Sequence, residues 1–403
     1  MRLLQFNTTV NSGSTGRIAE DIGKLFMAEG HESVIAYGRG NRPSASKLIR
    51  VGSDLDTYMH GLKTMISDRH GFGSVRATKA LVKKIDELKP DVIAMHNVHG
   101  YYLNIEVLFE YFSKANIPLV WTLHDCWSFT GHCTYFDDIN CTKWYKGCSH
   151  CPKLRKYPAS YLADNSTKNY FDKKQLFNSV SKLELVVPSR WLGGLVKQSF
   201  MSQWPVHHVP LGVELTTFKP VISPLRTKLG LDGKKIVMGC ANIWDKRKGL
   251  DDLVRLRDLL PKDHVVIAVG LNEKQADELP TGIVGVTRTE SVEQLVEYYS
   301  MADVFVNPTY QDNFPVTNLE SLACGTPIVT YNTGGSPEAI DVNTGKVVPK
   351  GDLDAFAEAV KELTREGKVS IGVLCRERAE KHFNKNEQYS HYIGICEKLA
   401  NKN

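Results

Sequence analysis

The chain has 403 residues, 42% hydrophobic and 24% charged, with a net charge of +5. That balance belongs to a soluble globular protein with room for two domains, each with its own core. The mild positive charge suits anionic substrates or an anionic membrane surface and is too small to argue for nucleic acid as a partner. No apolar run approaches the roughly 18 residues needed to cross a bilayer. The first residues, Met1 to Phe6, read as a short strand without the apolar core and cleavage site of a signal peptide, so a cytoplasmic protein is expected.

Strands are expected at residues 3–6, 33–37, 92–95, 119–123 and 185–187, with helices between them, for instance at 16–28 and 78–88. A turn-rich stretch over 205–224 follows, and the alternation restarts. Further strands are expected at 236–240, 265–269, 283–286, 304–306 and 328–331, and a long charged helix at about 373–399. Alternating strands and helices are the signature of a parallel sheet covered by helices. Two such runs predict an α/β protein of two doubly wound, Rossmann-like domains facing across a cleft: residues 1–205 and 221–380, joined by a linker at 206–220. Residues 381–403 are expected to pack back on the first domain as a helix. In such sheets ligands lie beyond the C-terminal ends of the strands.

Several constellations fall at those strand ends. After the first strand comes Asn11-Ser12-Gly13-Ser14-Thr15-Gly16, small residues that let backbone N–H groups approach an anion at a helix start. It is neither a dinucleotide fingerprint nor a P-loop, since no Lys follows the glycine. The alternative is a flexible loop with a helix cap. His96-Asn97-Val98-His99 follows the strand at 92–95, and His124-Asp125 follows that at 119–123. A His beside a carboxylate suits acid/base work or the holding of a hydroxyl, and equally a structural hydrogen bond between strands.

Nine cysteines are present, five of them between Cys126 and Cys151. Cys133, Cys141, Cys148 and Cys151 include a CxxC knuckle, which suits a structural zinc, with disulfides or free thiols as alternatives. Cys126 reads as an ordinary buried thiol.

In the second half, Asp245-Lys246-Arg247-Lys248-Gly249 follows the first strand. There Arg247 as a fork and Lys248 as a point charge suit a diphosphate, or else a solvated turn. Further on, Asp312 and Glu320 stand eight positions apart, across a loop that becomes a helix. Asn313 is expected to cap that helix, with Pro315 in its first turn and Gly325 at its stop. Glu320 lies at the edge of the apolar stripe of Val316, Leu319, Leu322 and Ala323. A carboxylate there needs a partner. A sugar diol offers two donors, worth about 1.5–3 kcal/mol for a charge-assisted bond; a backbone partner is the alternative. Ser336, Pro337 and Glu338 read as a further helix start.

Taken together these residues resemble the two-domain GT-B glycosyltransferases of the large retaining family 4, which includes many bacterial polysaccharide transferases. The resemblance runs along nearly the whole chain. It is strongest from Asp312 to Glu338, where Leu319-Glu320-x-Leu322-Ala323-Cys324-Gly325-Thr326-Pro327 and Gly334-Gly335-x-Pro337-Glu338 are specific in combination. Gly30-His31, Val187-Pro188-Ser189-Arg190, residues 209–214, Phe218, Pro220 and Lys248-Gly249 support it.

The resemblance implies that the second domain holds a nucleotide-sugar donor. Glu320 matches the ribose-binding carboxylate, and Asp312 the one beside the donor sugar, with Asn313 and Phe314 next to it. The amides of Val316 and Thr317 would approach the phosphates, as would Lys248. His124, with Asp125, matches the acceptor-side histidine; His99 joins it on that side, and the Gly13–Gly16 segment approaches the diphosphate. No catalytic metal is implied, so a zinc would be structural. Two departures stand out. Asp312 replaces the commoner Glu, and Gly239 is followed by Cys240-Ala241-Asn242 rather than by Arg, leaving Arg247 to supply a guanidinium. The expected reaction is transfer of a hexosyl unit, with retention, to a glycan or lipid-linked acceptor, with peripheral contact at the inner face of the membrane. A nucleotide-sugar epimerase of the same fold and a non-catalytic nucleotide-sugar-binding subunit are the alternatives.

Overall fold

A computed structural model describes residues 1–40 and 42–401. The chain forms two compact units, Met1–Val209 together with the segment from Tyr389 on, and Pro210–Gln388.

The first unit is built on seven parallel strands: β1 (Arg2–Asn7), β2 (Glu32–Tyr37), β3 (Lys47–Arg50), β4 (Val92–Met95), β5 (Leu119–Thr122), β6 (Leu183–Val187) and β7 (Val206–His208). Their order is β3-β2-β1-β4-β5-β6-β7, so the winding reverses between β1 and β4. Phe6 pairs with Ala36 on one side and Met95 on the other. The central strands are mostly apolar because both faces are covered, with Gln5 and Asn7 of β1 and Thr122 of β5 as buried polar exceptions. Leu4, Phe6, Ile93, Met95, Phe109 and Trp121 meet in one core.

The second unit has six strands: β8 (Lys235–Cys240), β9 (His264–Val269), β10 (Ile283–Val286), β11 (Val304–Asn307), β12 (Ile328–Tyr331) and β13 (Gly345–Val348). The order β10-β9-β8-β11-β12-β13 repeats the same plan, with the reversal between β8 and β11. Val237, Val266, Val304, Leu253, Phe356 and Val360 share its core. The sequence-based architecture of two doubly wound α/β units therefore holds, and the loops after β1, β4, β8 and β11 lie at the two switch points where such sheets bind ligands.

Several boundaries differ from expectation. Residues 206–208, expected in the linker, form edge strand β7. The single long terminal helix is two helices, Lys368–His382 and Lys385–Ala400. They part at Phe383-Asn384, where Val213 donates its N–H to the Phe383 carbonyl at 2.8 Å and accepts from the Lys385 N–H at 3.2 Å. Gly212 permits this approach, since a Cβ there would stand 2.3 Å from the Lys385 Cα. The last helix begins in the second unit and, from Tyr389, belongs to the first. There Tyr392 is buried, accepts from Thr122 Oγ1 at 3.4 Å, and stacks on His96 with ring centroids 6.0 Å apart. The last two residues of the expected 381–403 segment lie outside the described residues.

Candidate active site

In the second unit, the loops after β8 and β11 lock together. Gly249 adopts φ +77°, and a Cβ on it would lie 2.1 Å from the Pro308 carbonyl oxygen. The Arg247 carbonyl accepts from the Tyr310 N–H at 2.7 Å, and the Arg247 guanidinium donates to the Gln311 carbonyl at 3.1 Å. The Tyr310 hydroxyl donates to Asp252 at 2.6 Å. These bonds hold the 308–312 segment so that Asp312 forms an ion pair with Lys248. Arg247 thus braces the loop.

The helix after this loop is Val316–Ala323. Asn313 does not cap it. Pro315 occupies the cap position, one residue before the first turn where it was expected, and makes no side-chain cap bond. Pro315 has a carbonyl to accept the Asn318 N–H, at 3.1 Å, but offers no side-chain acceptor. An uncapped helix start presents N–H groups and a positive dipole end to an anion. Asn318, fully buried inside the helix, accepts from Asn307 at 2.8 Å and donates to the Ser336 hydroxyl at 3.2 Å. It thereby fixes the helix between β11 and the Gly335-Ser336-Pro337 turn, which forms a short 3-10 helix. Phe314 is buried and packs on Phe383, centroids 6.0 Å apart.

Glu320 is half-buried and accepts a hydrogen bond from the Tyr299 hydroxyl at 2.8 Å. Tyr299 is wholly buried on the helix Val292–Met301. Cys240 lies beside both; burial pushes its thiol up to about 12, so it is neutral there. A partner of the kind an edge carboxylate requires is therefore supplied by a side chain from a different helix. Sequence reasoning missed Tyr299, because nothing local to residue 299 points toward residue 320.

In the first unit, the Gly13–Gly16 segment is the first turn of the helix Gly13–Ala28 rather than a loop. Two contacts hold its ends. Thr9 Oγ1 donates to the Ser12 carbonyl at 2.7 Å, and a Cβ on Gly16 would stand 2.9 Å from Thr9 Oγ1. Ser12, at the cap position, makes no side-chain cap bond, so this helix start is also open.

Asp125 pairs with His99, at 3.0 Å to its Nε2, rather than with its chain neighbour His124. The other Asp125 oxygen accepts the Trp127 N–H at 2.9 Å. Burial pushes the Asp125 carboxyl up, but His99 and that N–H outweigh it and hold the group below the usual range. His124 stacks on His96, centroids 5.8 Å apart. Burial drives His124 down to about 4, against the opposing pull of Asp125, and His96 down to about 3. Both rings are neutral near pH 7, so His124 presents a neutral imidazole. His96, His99, His124, Asp125 and Trp127 line one small cavity at the ends of β4 and β5.

The expected residues thus gather into two sets. Lys248, Asp312, Val316, Thr317 and Glu320 lie about the switch point of the second sheet, and His99, His124 and Asp125 at the ends of β4 and β5 in the first. The four cysteines gather separately, in the loop after β5, where all four line one cavity.

Comparison with known proteins agrees with this architecture. Residues 15–217 match the model of Glycosyltransferase Family 4, and residues 234–366 that of Glycosyl transferases group 1. The chain is 24% identical over 368 residues, 88% of each protein, to WcaC of Escherichia coli (strain K12), named for glycosyl transfer in colanic acid biosynthesis. Sucrose-phosphate synthase from Thermosynechococcus elongatus superposes with a TM-score of 0.75 at 18% identity, covering 100% of both chains. HepE from Anabaena, solved in complex with UDP, does so with 0.70 at 14% identity, covering 99% of this chain and 100% of that one. These matches do not favour an epimerase. With family models matching both units and the GT-B fold shared end to end, the chain belongs to glycosyltransferase family 4.

Proposed function

We propose that this glycosyltransferase moves a hexosyl unit from a nucleotide diphosphate sugar to a hydroxyl of a glycan or lipid-linked acceptor, with retention at the anomeric carbon. The observation that carries the donor side is the uncapped start of the helix Val316–Ala323, flanked by the Lys248–Asp312 pair and by a Glu320 whose rotamer Tyr299 fixes. In this reading Glu320 accepts the two ribose hydroxyls. The Val316 and Thr317 amides and Lys248 hold the diphosphate, and their positive potential offsets the charge that grows on it as the glycosidic bond breaks. Asp312 lies on the sugar side and restrains Lys248 until phosphate competes for it. His124, as a neutral imidazole, accepts or donates one hydrogen bond to an acceptor or donor-sugar hydroxyl. The His99–Asp125 pair fixes the wall behind it. HepE has been solved with UDP-glucose as well as UDP, which supports a nucleotide-sugar donor without naming the base for this chain.

A membrane-borne acceptor is supported by the helix Asp54–Ser67, whose polarity is inverted. His60 and Thr64 are buried, while Leu55 (69% exposed), Tyr58 (67%) and Met59 (52%) face outward with Met65 and Ile66. An outward apolar stripe of that kind suits an interfacial helix. No helix among the described residues is long and apolar enough to cross a membrane.

The test is a thermal-shift screen against UDP-, GDP-, ADP- and dTDP-sugars, followed by product analysis with the stabilising donor. Donor consumption that requires acceptor, yields a product retaining the donor's anomeric configuration by NMR, and collapses in Glu320→Ala is the expected outcome. Epimer formed without acceptor, or binding with no turnover, would reject it.

A further inference from the structure

Between β5 and the helix Ser166–Phe177 the chain runs through residues 123–165 with only three 3-10 turns of three residues each. Ordered segments of that length without regular structure need something else to hold them. A small aromatic stack is one part of the answer. Trp144 stacks on Tyr145 and Phe136, with centroids 4.0 and 5.0 Å apart, and Phe129 leans on it at 5.4 Å. Under this stack, Cys133, Cys141, Cys148 and Cys151 line a single cavity, closed by Phe136 and Trp144.

The backbone around the thiols is built to hold sulfur. The Gly131 N–H donates to the Cys148 sulfur at 3.1 Å. The Lys143 ammonium donates to the carbonyls of Ser149 and His150, at 2.8 and 2.9 Å, inside the Cys148–Cys151 knuckle. His150 takes the left-handed conformation, φ +46°, that folds the knuckle back. A Cβ on Gly131 would lie 2.1 Å from the Ser166 carbonyl, so the segment carrying that N–H sits tight against the following helix.

We propose that Cys133, Cys141, Cys148 and Cys151 bind one zinc ion as a closed structural site that staples this loop. The ligand chemistry is that of four thiolates around a tetrahedral ion, with no position left for water. N–H donation to a ligand sulfur is the outer-shell support such sites carry. No three of the sulfurs stand within 4.8 Å of one another. Zinc–sulfur bonds of about 2.3 Å set tetrahedral S–S separations of about 3.8 Å. Cys133 and Cys151 already lie within hydrogen-bond reach of each other, so metal binding draws the remaining sulfurs in toward that pair and tightens the cavity. The consequence reaches the candidate site through Lys173, whose buried ammonium donates to the carbonyls of Trp127 and Thr130 at 2.8 and 3.1 Å. That contact ties the start of the stapled loop, two residues beyond Asp125, to the next helix.

The proposal is separate from the donor and acceptor reading and is tested without turnover. Elemental analysis of protein purified without chelator is expected to give about one zinc per chain, retained in Cys126→Ala and lost in Cys148→Ser/Cys151→Ser. Cobalt exchanged into the site is expected to give a thiolate-to-metal charge-transfer band. Should the double variant fail to fold, titration of the wild type with a mercurial is expected to release one zinc as four thiols react. Protein without metal, a mass deficit indicating disulfides, zinc retained in the folded double variant, or mercurial modification releasing no zinc would each overturn the assignment.

Discussion

Replacing Tyr299 by Phe removes one oxygen and tests how Glu320 is organised. The ring is wholly buried, so Phe fills nearly the same volume, and the loss is confined to the hydroxyl, which donates to Glu320 at 2.8 Å and also bonds the Cys240 thiol. A hydrogen bond to a charged group contributes about 1.5–3 kcal/mol, which sets the expected fall in stability. The expected effect on donor binding is smaller. Tyr299 does not touch the nucleotide in our reading; it pre-orders the carboxylate. Without it, binding must immobilise the Glu320 side chain, at about 0.5–1.5 kcal/mol. The donor Kd is then expected to rise roughly 2- to 13-fold. Calorimetry with the nucleotide that stabilises the wild type measures this, and a double-mutant cycle sharpens it. In a Glu320→Ala background, Tyr299→Phe should leave Kd unchanged, because the group it positions is gone. An equal rise in both backgrounds, or none in the wild type, would refute the positioning argument.

Lys248→Ala is expected to lower kcat by about 100-fold or more with a smaller change in donor KM, because in the proposed reaction the charge it would offset develops during bond cleavage; steady-state kinetics with saturating acceptor reads the split. Gly249→Ala forces a Cβ at positive φ against the Pro308 carbonyl, and a loss of at least about 1–3 kcal/mol should appear as a lower melting temperature. Acid should destabilise the first unit early. Burial holds His60 and His124 at about 4 and His96 at about 3, against 6.5 for an exposed ring. Between those values the unfolded chain binds protons that the fold refuses. Stability is thus full above pH 6.5 and falls as pH drops toward 4, a trend that melting curves across that range would show. A flat profile there would contradict the burial of these rings.

The alternation of apolar runs made the two parallel sheets legible, and strand ends led directly to Lys248, Asp312, His99 and His124. The strands that escaped sequence reading, Lys47–Arg50, Val206–His208 and Gly345–Val348, all lie at sheet edges, where half-exposed residues break the apolar run. Helix starts were harder. Asn313 has a good capping side chain, but the start of that helix is set by Pro315 and by Asn318 bonding across to Asn307 and Ser336. Partnerships between distant elements were invisible. His124-Asp125 reads as a pair along the chain, yet the carboxylate turns to His99, twenty-six positions upstream. Tyr299 reaches Glu320 only because two helices lie side by side on the second sheet.

The last helix also dictates an order of events at the ribosome. The first unit contains residues made before the second unit and residues made after it, since Tyr389, Tyr392, Ile393 and Cys396 are buried in it. Domains generally fold as they emerge, N-terminal first. Here a nascent first unit is missing a wall until residues 389–400 have been made, and that wall includes the ring stacked on His96, next to His124. The His96–His124 stack gains its Tyr392 neighbour only after the whole second unit has been synthesised, so a half-made chain carries an unfinished candidate site there.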